Sequence, residues 1–258
     1  LHRELPDFLR LAKSMGFITT VTSNGLLYPK HAEKLRGLID MLHFSLDFAD
    51  ADKHNASRGV PCFDHVMRSI AICKAMGERP DILFTVTDDS FDDIARIYNE
   101  ITGPNGLVLI LNPIFDYNDV GGKLDKARHD ELRRWGWKKN VYINEGFLKL
   151  RENGGNDIHN PVCVAASSTV VISPEDKLVL PCYHLGESEL PIAGELYKLY
   201  QSPETQQLIK QEGRLPGCAG CTVNCYMQPS FAYQLNGFFF RALPSTLKYT
   251  FEKWVYAA

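Results

Sequence analysis

FITTVTSNG, residues 17–25, is a β-branched run that stops at an Asn-Gly turn signal. MLHFSLD (41–47), ILFTVTDD (82–89) and GLVLILNP (106–113) are a second, third and fourth apolar run, and NVYIN (140–144) is a weaker fifth. Helical periodicity fills the gaps. In FDHVMRSIAICKAMG (63–77), Phe63, Val66, Met67 and Ile70 share a face, and Phe91, Ile94, Ala95, Tyr98 and Ile101 do so in the next segment. Cys73 continues the first of these stripes, so it and Cys62 read as structural. Strands read as apolar on both faces, each followed by a helix, predict an α/β fold with a parallel sheet wound as right-handed βα units.

The polar residues of this region gather where strands end. Thr22 and Asn24 close the first run, Ser45 and Asp47 the second, Thr87 and Asp88 the third, and Asn112 the fourth. The carboxyl edge of a parallel sheet is where such folds bind ligands. Asn24-Gly25 and Asn112-Pro113 also read as plain turn formers. Four successive strands with this ending favour a shared small-molecule site over four unrelated turns.

The chain has 258 residues, 45% of them hydrophobic and 23% charged, with a formal net charge of -3. That composition supports a sizeable core and offers no basic field for nucleic acid. No apolar run approaches the roughly 20 residues of a membrane span, and no secretory signal opens the sequence. Leu5, Phe8, Leu9 and Ala12 form a helical stripe almost at the first residue, so the chain reads as a segment of something longer. Seven cysteines, an odd count in a long chain, argue for a reducing cytoplasm and a metal site over a disulfide scaffold.

Five of those cysteines lie between 163 and 225. SSTVVISPEDKLVLPCYH (167–184) reads as two short strands around a Pro-Glu-Asp turn, bracketed by Cys163 and Cys182. Polar helical sequence leads from there to GCAGCTVNC (217–225), where Cys218 and Cys221 form a C-x2-C and Cys225 follows. Paired hairpin strands would bring Cys163 and Cys182 together, giving four thiolates for a tetrahedral zinc or a cubane cluster. Spacing alone does not separate zinc, an iron–sulfur cluster and unligated cysteines. His184, close to Cys182, is a candidate hydrogen-bond donor behind a ligand, or a surface histidine. The boundaries predicted are 1–157 for the α/β domain, 158–230 for a small cysteine-rich module with a β-hairpin, and 231–258 for an aromatic C-terminal helix. In that helix Phe240, Leu243, Leu247, Phe251 and Trp254 form a stripe expected to pack on its own protein.

The first half resembles the radical S-adenosylmethionine enzyme family. The resemblance rests on the turn Thr22-Ser23-Asn24-Gly25, the strand end Ser45-Leu46-Asp47, and ASRGVPCFDHVMRSI (56–70), which matches the family's Arg-Gly and aromatic lead-in to a helix. The second half resembles the auxiliary cluster modules called SPASM and Twitch, and its cysteine count suits the one-cluster Twitch form better. The resemblance implies a partial TIM-like (β/α) barrel. It implies that Thr22, Asn24, Ser45, Asp47 and Asn112 line an S-adenosylmethionine site. It implies a 4Fe-4S auxiliary cluster on Cys163, Cys182, Cys218 and Cys221, with Cys225 as a fifth candidate ligand. The intact protein is then expected to bind a second 4Fe-4S cluster, to form a 5′-deoxyadenosyl radical, and to act on a peptide or small-molecule substrate. Its electron donor would be a flavodoxin or ferredoxin.

The departures are specific. The family's C-x3-C-x2-C loop and Gly-Gly-Glu-Pro motif are absent from these residues, and its fifth-strand glycine motif is not evident in GLVLILNPIFDY (106–117). The expectation is a fragment lacking the first strand and the cluster loop, inactive alone. A zinc-stabilised α/β binding protein, or a degenerate relative kept as an interaction scaffold, are the alternatives from other classes.

Overall fold

The structure is a computed structural model that describes residues 2–115 and 124–255. The last two residues of the stretch read for the glycine motif, Asp116 and Tyr117, lie outside the described residues. The chain forms two compact units, one of Leu1–Ile114, Asp130–Ile143 and Leu247–Ala258, the other of Phe115–His129 and Asn144–Thr246.

The first unit is built on β1 (Thr20–Ser23), β2 (Met41–Ser45), β3 (Asp81–Val86), β4 (Leu109–Pro113) and β5 (Val141–Tyr142), all parallel and paired in chain order. Helix α1 (Leu5–Ser14) precedes β1, α2 (Tyr28–Leu35) joins β1 to β2, and α3 (Ala51–Arg58) and α4 (Phe63–Ala75) join β2 to β3. Between β3 and β4, α5 (Asp93–Arg96) runs through a π turn (Ile97–Thr102) into α6 (Gly103–Asn105). That π turn moves the apolar stripe, so Phe91, Ile94, Ile97 and Ile101 are buried in place of the set that includes Ala95 and Tyr98. Helix α7 (Lys126–Gly136) leads to β5.

The two faces of the sheet differ, contrary to the expectation of strands apolar on both sides. One face carries Phe44, Ile82, Phe84 and Leu109, all fully buried. The edge-on contact between Tyr28 of α2 and Phe44, at 5.1 Å, shows that helices cover it. By the pleat and the register, the other face is mixed: Met41, Leu83 and Ile110 stand there with Thr22, His43, Ser45, Asp81, Thr85, Asn112 and Tyr142. Asn24-Gly25 turns the chain after β1 against α4. Gly25 has φ +75, and a Cβ there would meet the Val66 Cα at 3.1 Å, so only glycine fits. Cys62 and Cys73 are fully buried, as their structural reading requires.

The second unit contains α8 (Glu145–Glu152), α9 (Ala165–Ser168), β6 (Lys177–Leu180), β7 (Ser188–Pro191), α10 (Leu196–Tyr200), α11 (Pro203–Ile209), α12 (Asn224–Gln234) and most of α13 (Gly237–Thr250). The turn at 174–176 forms, with Ser173 N–H donating to Lys177 O and Val179 N–H to Val171 O. The longer pairing of β6, however, is antiparallel with β7. Residues 144–157 join this unit, away from the boundary expected near 158, because Phe147 and Leu150 of α8 are buried with Cys163, Val223, Tyr226 and Phe231.

The apolar stripe of α1 is turned inward at Leu9, with Leu5 and Ala12 half-buried, and leaves Phe8 55% exposed. The C-terminal aromatic stripe faces water. Phe240, Leu247, Phe251 and Trp254 are between 49% and 62% exposed, whereas Ala242, Ser245, Glu252 and Lys253 are buried. The end of the chain is held by polar contacts, Lys253 to Asp81 and Lys248 to Glu252, and these rotate its aromatic side outward. Among the described residues no helix is long and apolar enough to cross a membrane.

Candidate functional site

The strand-end residues separate into those on the mixed face of the sheet and those that shape its edge. Thr22, Ser45 and Asn112 stand on one face, with Thr22 beside His43 and Asn112 beside Thr85 in the ladder. Ser45 is buried, and Asn112 half-buried at the end of β4. Asn24 is exposed, and its Oδ1 accepts the Leu26 N–H at 3.2 Å, which is the turn-former role. Thr87 also closes a turn, exchanging hydrogen bonds with Ser90.

Asp47, just past β2, is buried. Its Oδ1 accepts the Thr85 N–H at 2.9 Å and its Oδ2 lies 2.5 Å from Arg58 Nη2. Its own N–H donates to Nδ1 of the fully buried His54, whose Nε2 lies 3.5 Å from Cys62 Sγ. Nδ1 therefore accepts and Nε2 carries the proton. Burial holds His54 below its ordinary pKa, with the Arg58 charge acting the same way and Asp47 opposing. This neutral imidazole, with the Asp47–Arg58 pair, fixes the loop that follows Ser45.

The sequence reading missed two neighbours on the same face, His43 and Asp81. Asp81 is fully buried and accepts Tyr249 O–H and Lys253 Nζ, each at 2.7 Å. His43 places Nε2 3.6 Å from Asp81 and Nδ1 3.3 Å from Thr22 Oγ1. The available signal was an acidic residue opening an otherwise apolar strand.

The second unit brings sulfurs from distant parts of the chain into one neighbourhood. Cys163 and Cys218 are buried and Cys182 and Cys221 half-buried. Burial pushes the Cys163 thiol up to about 12, and the charges of Cys221, Cys218 and Cys182 push it the same way. Burial likewise takes Cys221 to about 11, with contributions from Cys218, Cys182 and Cys225. Hydrogen bonds from the backbone of Ala165 and Val223 favour the thiolate at Cys163 and Cys221 respectively. Cys225 is exposed; after burial, the group whose charge raises it is Cys182. Its Sγ lies 3.9 Å from Nε2 of His184, whose ring meets Phe115, Tyr183 and Tyr226. Among the described residues, no group of three or more histidine, cysteine, aspartate or glutamate side chains is gathered tightly enough to hold a metal ion.

A parallel sheet wound in chain order, helix-covered on one face and carrying polar strand-end residues on the other, defines an α/β fold of the βα-repeat kind. Solved structures share it. Hexahistidine-tagged anSMEcpe with bound AdoMet superposes with a TM-score of 0.59 at 14% identity, over 95% of this chain and 80% of that one. Streptococcus suis SuiB bound to S-adenosylmethionine gives 0.62 at 16% identity, over 85% of this chain and 56% of that one. Native anSMEcpe with bound AdoMet and Kp18Cys peptide gives 0.57 at 14% identity, over 92% of this chain and 80% of that one. The chain thus spans little more than half the length of SuiB. At such identities the likeness is one of fold. No family model and no curated protein matches the sequence.

Proposed function

We propose that this chain forms the nucleoside-binding and auxiliary-cluster parts of a radical S-adenosylmethionine enzyme. The reading takes the five parallel strands as an incomplete (β/α) barrel. The observation that carries it is the convergence of thiols from three stretches of the chain, with Cys182, Cys218 and Cys221 all near enough to the buried Cys163 to act on it electrostatically. A single tetrahedral zinc needs thiolates about 3.8 Å apart, from Zn–S bonds of about 2.3 Å. A 4Fe-4S cluster gives each thiolate its own iron and spaces the sulfurs more widely. An all-thiol donor set fits either group, and the choice of a cluster rests on the resemblance of this half to the SPASM and Twitch modules. When bound, that cluster supplies one-electron redox chemistry.

In this reading Ser45, Thr22 and Asn112 present hydroxyl and amide groups to S-adenosylmethionine on the mixed face of the sheet. Asn24 and Asp47 act through the backbone, Asn24 by closing the turn after β1 and Asp47 by tying the end of β2 to Arg58 and to β3. Reductive cleavage in the intact protein would add one electron to S-adenosylmethionine and release methionine and a 5′-deoxyadenosyl radical. Residues 1–258 contain no C-x3-C-x2-C, so that step is not assigned to them. A peptide is the favoured substrate, supported by the Kp18Cys peptide bound to anSMEcpe, and a flavodoxin or ferredoxin is the electron donor. The cytoplasm, with its reducing poise, is the compartment that suits free thiols.

Anaerobic purification followed by iron, acid-labile sulfide and zinc analysis tests the reading. Iron and sulfide in equal amounts, about four of each per chain, support it. Zinc without sulfide replaces it with the binding-protein alternative.

A further inference from the structure

The loop at 153–161 looks like a polar connector in the sequence, yet one of its residues makes an unusual set of hydrogen bonds. Asn156 is only 3% exposed. Its Oδ1 accepts the N–H of Val162 at 3.0 Å and of Cys163 at 3.1 Å. Its Nδ2 donates to Gly213 O at 2.8 Å and to Cys218 O at 3.1 Å. The main chain adds two more bonds, Asn156 N–H to Cys221 O at 3.0 Å and Gly220 N–H to Asn156 O at 2.8 Å. One residue thereby fastens the backbone at Cys163, Cys218 and Cys221, the last two more than 60 positions away in sequence.

The chemistry of this clasp is exacting. The side chain accepts two bonds at its oxygen and donates two from its nitrogen; a carboxylate has no donor, a hydroxyl only one, and an alkyl group neither. Each amide atom is satisfied in a buried setting, where a lost partner is expensive. The neighbouring residue fits only as glycine. Gly155 has φ +86, and a Cβ on it would lie 2.2 Å from Gly220 O, so the two loops cross with their backbones in contact. The fourth thiol arm is held separately, by Tyr183 N–H donating to Tyr226 Oη at 3.0 Å.

We infer that Asn156 is the positioning residue of the thiol site, presetting Cys163, Cys218 and Cys221 to share one metal–sulfur group without ligating it. The inference rests on the cluster reading above and adds that the site is assembled before metal arrives.

The test compares wild type, Asn156→Asp and Asn156→Ala, each reconstituted anaerobically with ferrous iron and sulfide. Asn156→Asp keeps the acceptor for Val162 and Cys163 and loses both donors. The expected result is iron that a chelator strips on the order of 10- to 100-fold more readily, with an altered visible charge-transfer spectrum and an unchanged far-UV circular dichroism spectrum. Wild-type chelator resistance and spectrum in both variants would overturn the inference. Failure of the wild type itself to assemble iron and sulfide would instead overturn the reading beneath it. Should both variants fail to fold, amide exchange in the metal-free wild type decides. Slow exchange at Val162, Cys163 and Gly220 shows the clasp closed without metal, and exchange at the rate of a free peptide refutes presetting.

Discussion

Lys253 sets its Nζ 2.7 Å from Asp81 Oδ1, joining the end of the chain to the first residue of β3 across 172 positions of sequence. Both side chains are essentially out of water, at 4% and 0% exposed. Arg79 reinforces the joint by donating to the Glu252 carbonyl. Removing one partner of a buried pair strands the other charge, which costs about 3–5 kcal/mol. Lys253→Met should therefore destabilise the protein by about that amount in chemical denaturation. Adding Asp81→Asn should recover much of the loss. A single-variant effect below about 1 kcal/mol, the range of an exposed pair, would contradict the buried pairing.

Two imidazoles, His54 fully buried and His43 largely so, give stability a definite pH dependence. Burial lowers the pKa of His43, with Lys253 acting alike and Asp81 opposing; burial also lowers His54, with Arg58 acting alike and Asp47 opposing. As pH falls below the ordinary histidine value of about 6.5, the unfolded chain takes up these protons before the folded one. Stability is then full above that value and declines below it, by up to about 1.4 kcal/mol per pH unit for each histidine. Urea unfolding midpoints measured from neutral to mildly acid pH should show the decline. His43→Gln or His54→Gln should flatten it; an unchanged slope in both variants would rule these groups out as its source.

Gly25→Ala should cost about 1–3 kcal/mol, because it places a side chain in the left-handed region and against the Val66 backbone. Thermal unfolding measures it. Gly37→Ala is the control, since φ is +68 there and a Cβ meets nothing within 4 Å. An equal loss in the two would show that backbone conformation, not the close approach to α4, sets the requirement.

The five cysteines of the second unit should divide four to one. Serine replacement of Cys163, Cys182, Cys218 or Cys221 should abolish most of the bound iron. Cys225→Ser should leave iron near wild type, since Cys225 is exposed and lies beside His184. Iron analysis of the five variants checks this, and a Cys225→Ser protein without iron would place that sulfur among the ligands.

Much of the first unit was readable from local pattern. The first four strands sit where short apolar or β-branched runs end in polar residues, and α1 and α4 follow from their apolar spacing. What local pattern did not reveal depends on distant partners. Asp81 looked like the edge of an apolar run because Lys253 and Tyr249, which make its burial tolerable, come from the far end of the chain. Asn156 sat in a stretch rich in Gly, Asn and Asp that reads as a linker, and its bonds reach Cys163 at the far end of the same connection and Gly213 and Cys218 between α11 and α12. The aromatic stripe from Phe240 to Trp254 was read as core from periodicity, which marks a helix face without saying which face is covered. The C-x2-C was legible as a ligand pair, whereas the kind of group it holds is a matter of sulfur spacing that sequence does not carry.

The most direct measurement is a crystal structure of anaerobically prepared protein with anomalous data collected on both sides of the iron absorption edge. The account predicts iron density bounded by Cys163, Cys182, Cys218 and Cys221, with Cys225 outside it and the Asn156 amide bonded to Val162, Cys163, Gly213 and Cys218. Density that appears only at the zinc edge, or iron held by a set that omits Cys163 or Cys182, would contradict it.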